Sequence, residues 1–125
     1  MSQRIGSAEI DEHEHVTLMD RVVLNDGAYM TQADVTSITV SVVGREGIEH
    51  ENTLDKTAVV FDTLQTDGYW NADRLGYNLR YTLDTENIMA GGRQYMVIIA
   101  IETTFGPKYS KYQVKVRDLP TVDSW

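Results

Sequence analysis

Asp11-Glu12-His13-Glu14-His15 is the densest run of metal-capable side chains in the chain. On an extended strand Asp11, His13 and His15 share one face and present the nitrogen and oxygen donors that zinc accepts. A structural zinc site needs a fourth ligand from elsewhere, and a solvated polar arm is the competing reading; no cofactor is expected. His50, between Glu49 and Glu51, reads as a loop histidine. Asp67, Asn71 and Asp73 bring three oxygen side chains within seven residues. A calcium loop begun at Asp62, however, would place Leu64 where an acid is needed and Asp67 where glycine is needed, so ordinary turn chemistry fits better. Covalent catalysis lacks its parts. There is no cysteine and no Gly-x-Ser-x-Gly, and Gly91-Gly92 precede a strand pattern rather than opening a helix over a phosphate. The expectation is a protein that is not an enzyme.

The remaining chemistry is that of surfaces. Tyr69 and Trp70 suit stacking on a sugar, anchoring an interface or roofing the end of a core. Trp125 follows the polar stretch 121–124 and is expected to dock on a neighbour. The chain has 19 acidic and 11 basic residues, for a net charge of −8, which argues against a phosphate backbone as partner. The excess is unevenly placed: acids crowd the first 15 residues and the middle loops, whereas Lys108, Lys111, Lys115 and Arg117 gather near the C-terminal end. Tyr29, Tyr69, Trp70, Trp125, Lys111, Lys115 and Arg117 are therefore the interface candidates. No apolar run approaches the roughly 18 residues of a membrane span, so neither nucleic acid nor membrane is an expected partner.

These residues sit on a chain with strand periodicity almost throughout. Residues 1–15 have little apolar content and no helical period and read as an extended, weakly ordered arm. From Val16 the alternation of Val16, Leu18, Val22 and Leu24 predicts a strand that ends at Asn25-Asp26-Gly27, with a bulge where Asp20 interrupts the apolar side. Ile38, Val40 and Val42 alternate with Ser37, Thr39 and Ser41, a strand with one wet face. Residues 57–64 read as a third strand, and Tyr77, Leu79, Tyr81 and Leu83, opposed by Asn78, Arg80, Thr82 and Asp84, as a fourth. Residues 95–103 carry apolar side chains on both faces, which belongs at a sheet centre, and the alternation through Tyr112, Val114 and Val116 completes a hairpin. Only 84–89 offers a helical turn. About two-thirds of the extended chain's surface is buried in a domain of this size. The reading is one all-β, antiparallel sandwich of six or seven strands at 16–119, an extended arm at 1–15 and a tail at 120–125.

Ile88 to Tyr95, the run Val97-Ile98-Ile99-Ala100-Ile101, Gly106 and Tyr112-Gln113-Val114-Lys115-Val116 together resemble the final hairpin of immunoglobulin-like and fibronectin type III domains. Tyr95 stands where those domains return a tyrosine hydroxyl to the backbone across a corner. The buried Trp of fibronectin modules and the inter-sheet cysteines are missing. A wider set, Val60-Phe61-Asp62-Thr63-Leu64-Gln65-Thr66-Asp67, Trp70, Asp73 and Gly76-Tyr77-Asn78-Leu79, with Asp34 to Val40, resembles small immunoglobulin-like structural proteins of tailed phages. That resemblance implies a non-enzymatic virion component (head decoration, neck or tail) that binds repeated copies of another virion protein, the arm ordering on its neighbour, with the chain present as a homo-oligomer or in many copies. The alternative is a carbohydrate- or protein-binding immunoglobulin-like module of a bacterial cell-surface protein, with Tyr29, Tyr69 and Trp70 at its site.

Overall fold

A computed structural model describes residues 5–67, 70, 73–86 and 88–118. The strands are β1 (Ile5–Asp11), β2 (Val16–Asp20), β3 (Val35–Gly44), β4 (Gly47–Thr53), β5 (Val60–Gln65), β6 (Tyr77–Leu83), β7 (Gln94–Thr103) and β8 (Gly106–Arg117). They form a five-stranded sheet in the order β1-β8-β7-β3-β4 and a three-stranded sheet in the order β2-β6-β5. Every pairing is antiparallel except β1 with β8. The expected all-β sandwich is the architecture observed, with eight strands among the described residues where six or seven were anticipated.

The core lies between the sheets. Ile38, Val40 and Val42 of β3, Tyr95, Val97, Ile99 and Ile101 of β7, and Tyr112, Val114 and Val116 of β8 are buried, as are Val16, Leu18, Leu79 and Leu83 of the smaller sheet. Period-two alternation makes this possible, because one pleat face of each strand is apolar at every second residue. Each fully buried aliphatic side chain contributes about 1.5–3 kcal/mol by leaving water. As expected from its two apolar faces, β7 is the middle strand of its sheet.

Four local expectations are corrected. Residues 5–11 do not wait for a neighbour to order them: they pair with β8 over seven residues as β1. Their acids are the fasteners, since Arg117 bridges Glu9 at 3.3 Å and Asp11 at 2.9 Å and the Glu12 carboxylate accepts from the Gly91 N–H at 3.1 Å. The second strand ends at Asp20 without a register shift. There the Asp20 carboxylate accepts from the Ser110 hydroxyl of β8 at 2.8 Å, a polar tie between the sheets. Residues 56–59 form one helical turn before β5, because Asp55 accepts from the Thr57 N–H and hydroxyl and so caps it. Finally, β4 is a strand that charged residues at its exposed edge concealed.

Asn78 departs furthest from its pattern. It falls on the polar side of β6 by alternation, yet is buried. Its Oδ1 accepts from the Val22 N–H at 2.7 Å, and its Nδ2 donates to the carbonyls of Val22 and Met30, both at 3.0 Å. The amide thus stands in for a missing strand and holds the connection from β2 to β3, where buried backbone groups would otherwise lack partners. Tyr95 makes the corner anticipated for it: its hydroxyl accepts from the Ala90 N–H at 2.8 Å.

Urea unfolding should separate these two groups. Asn78→Ala takes the amide partner from the Val22 N–H and the Met30 carbonyl, while the Val22 carbonyl keeps the Met30 N–H, and should cost about 2–4 kcal/mol, whereas Tyr95→Phe loses one hydrogen bond and should cost about 1 kcal/mol. Equal losses would contradict the latch assigned to Asn78.

Candidate functional site

The outer face of the five-stranded sheet brings several of the interface candidates together. Strand alternation turns Met96, Ile98 and Ala100 of β7 away from the core, all of them half-buried. Register fixes their neighbours: Ile98 lies between Lys111 of β8 and Ser41 of β3, and Ser41 pairs onward with Glu51 of β4. One step along, Met96 lies between Gln113 and Val43, and Val43 pairs with Ile48, which is 64% exposed. Tyr109, opposite Ala100, is 44% exposed. The face is therefore apolar along β7 and basic along β8, with acids on both outer strands: Glu51 on β4, and Glu9 and Asp11 on β1 in register with Lys115 and Arg117.

The charged groups on it are held in place. The Lys111 ammonium lies 5.9 Å from the centre of the Tyr109 ring, within the range of a cation–π contact. The Ser41 hydroxyl lies 3.1 Å from a Glu51 carboxylate oxygen and donates to it, and Gln113 donates to Gln94 at 3.2 Å. Lys115 lines a shallow depression of about 270 Å³ with Ser7, Glu9, Gln94 and Gln113. A wider cleft of about 890 Å³ opens beside it between the β3–β4 turn and the start of β7, lined by Arg45, Glu46, Glu49 and Arg93. Arg117, the third basic candidate, is engaged with Glu9 and Asp11; it secures β1 rather than offering a free cation.

The aromatic candidates lie apart from this face. Trp70 belongs to the connection between β5 and β6. Its ring is tilted against Tyr77 at 5.8 Å, and Phe61 meets Tyr77 edge-on at 5.7 Å. The indole N–H donates to Asp73 at 3.0 Å, and Arg21 donates to both oxygens of the same carboxylate at 2.9 and 2.7 Å. With the Leu75 and Gly76 N–H groups also donating to it, the Asp73 carboxyl is held far below the usual carboxylate range, first by Trp70 and then by Arg21. Trp70 thus roofs one end of the smaller sheet. Tyr77, beneath it, donates its hydroxyl to Asp67 at 2.6 Å; burial and that carboxylate push its ionisation up. Tyr29 is 43% exposed on the connection after β2, bridged to Val23. Tyr69 and Trp125 lie outside the described residues.

The histidine run is bent rather than extended. His13 has a left-handed φ of 74°, so Asp11, His13 and His15 do not share the strand face proposed for zinc. Asp11 instead bonds Arg117, and His15 Nε2 sits 3.2 Å from Asp84. Among the described residues no three His, Asp or Glu side chains are gathered for a metal ion. His50 is not in a loop but on β4, opposite Val42.

Sequence reasoning missed Glu51 and Ile48, the acidic and apolar residues on the β4 side of the outer face. The available signal was the turn between Gly44 and Gly47, which sends the chain back along β3.

A carboxyl with a depressed folded pKa stabilises the fold above its unfolded pKa and loses that contribution as pH falls through the folded value. Stability measured by denaturant from pH 7 downward should therefore fall less steeply below about pH 4 in Asp73→Asn than in the wild type. Identical acid profiles would contradict the role of Asp73 as the anchor of Trp70 and Arg21.

No protein-family model matches the chain, and no curated protein matches it. Among solved structures it is similar to the crystal structure of an engineered protein, at 17% identity over 89% of this chain and 18% of that one, with a TM-score of 0.49. The chain thus spans less than a fifth of that structure's length, and likeness of this degree assigns neither family nor function.

Proposed function

We propose that this chain is a non-enzymatic structural protein of a tailed-bacteriophage virion: an immunoglobulin-like sandwich mounted in repeated copies as a head decoration, neck or tail component. The observation that carries the reading is the outer face of the five-stranded sheet, where apolar residues of the central strand are flanked by opposite charges. Such a face can bury apolar area and also choose its partner by charge.

Strand order supports the immunoglobulin-like part. The smaller sheet β2-β6-β5 faces β8-β7-β3, with β4 added beside β3, a layout like that of variable-type immunoglobulin domains. The Tyr95 hydroxyl, accepting from Ala90 just before β7, resembles the corner contact of those domains. The resemblance running from Val60 to Leu79 supports the phage assignment. Repetition around a symmetric particle then converts weak single contacts into firm attachment.

The rival, a carbohydrate- or protein-binding module of a bacterial cell-surface protein, needs an accessible Trp70. The engagement of that indole with Asp73 and Tyr77 favours the virion reading.

Mass spectrometry of purified particles, produced from the genome that encodes the chain, tests the proposal. The expected result is the chain in many copies per particle; its absence from particles, with recovery in the cell envelope, would favour the rival.

A further inference from the structure

We infer that the outer face of the five-stranded sheet is where two copies of this chain meet, related by a twofold axis parallel to the strands. The inference rests on reading that face as a docking surface and names its occupant.

The register sets one row of side chains across the sheet: Lys111 on β8, Ile98 on β7, Ser41 on β3 and Glu51 on β4. Across these four strands the row runs from basic on β8 through apolar on β7 to acidic on β4, while β1, beyond β8 with Ile5 in register with Lys111, lies outside the overlap. Two such faces can be apposed by a twofold axis in two ways that keep the strands aligned. An axis across the strands would stack β8 on β8 and β4 on β4, setting Lys111 near its own copy and Glu51 near its own copy. An axis along the strands, passing between β7 and β3, stacks β8 on the partner's β4 and sets Lys111 against Glu51 of the partner subunit, twice. Isologous contacts require this kind of self-complementarity. It is present here without rearrangement, because the Tyr109 ring and the Ser41 hydroxyl already hold the two charges at the face.

The area is that of a weak, transient contact. The four strands that overlap about this axis, β8, β7, β3 and β4, are about 4.8 Å apart and about seven residues long and offer a footprint of roughly 440 Å² per copy. A dimer of modest, salt-sensitive affinity is the consequence, suited to a protein that gains strength from repetition. A partner of one charge sign would match half of this face and oppose the other half; a second copy matches both.

Sedimentation equilibrium of the full chain at about 1–500 µM tests this, with circular dichroism and thermal melting confirming the fold of each variant. Wild type is expected to dimerise. Lys111→Glu and Glu51→Lys should each weaken association by roughly tenfold or more, since each sets like charges opposite one another. The double reversal K111E/E51K should recover most of the loss, because it recreates both pairs with their signs exchanged. A wild type that stays monomeric throughout, single variants that associate as well as wild type, or a double variant no better than the singles would each overturn the inference. Particle incorporation of the same variants separates the two proposals. A wild type that is monomeric in solution, with incorporation lost in the single variants, would assign this face to another virion protein, leaving the virion reading intact and ending the homodimer.

Discussion

A two-layer sandwich can cover only one face of each sheet, and β7 is apolar on both. Tyr95, Val97, Ile99 and Ile101 are buried against the smaller sheet. Met96, Ile98 and Ala100 face the other way, where no further layer lies among the described residues. Placing β7 at the centre relieves part of that conflict, since strands on both sides half-bury the outward set. The rest of the five-stranded sheet is arranged around this strand. Its flanks carry hydroxyls on β3 and lysines on β8, and its β4 edge carries acids that discourage indiscriminate strand pairing. What remains is a bounded apolar strip with charge on either side.

Polar side chains close the gaps that the alternation leaves. Asn78 supplies the hydrogen bonds that a strand would have given to Val22 and Met30. Asp20 ties β2 to β8 through Ser110, and Asp73 collects Arg21, Trp70 and two backbone donors at one end of the smaller sheet. The net charge of −8 therefore has internal uses. Glu9, Asp11 and Glu12 fasten the first strand, leaving acids such as Glu51 on the outer face.

Strands with one buried face were legible because burial imposes period two on the residues: β3, β6, β7 and β8 all carry that mark. Elements governed by something other than alternation were not. β4 is exposed along its length, so no apolar selection marks it. β1 alternates, with Ser7 and Glu9 exposed against half-buried Ala8 and buried Ile10, but its small side chains mark it faintly, and its parallel pairing and ion pairs leave no trace in the sequence. The helical turn at 56–59 depends on the cap at Asp55, and Asn78 is buried by a connection distant in sequence. Of the candidate site, Lys111 and Lys115 were legible as basic residues of a hairpin. Their opposite number, Glu51, emerged only once β4 was placed beside β3, and Trp70 proved to be held by Asp73 and Tyr77.

The central claim is that the outer face around Ile98 is a contact surface between copies. Amide chemical shifts of the isotope-labelled chain, followed on dilution, test it residue by residue. Concentration-dependent shifts are expected on the Lys111, Ile98, Ser41 and Glu51 row, with β2, β5 and β6 unmoved. Shifts absent at every concentration, or confined to the smaller sheet, would contradict it.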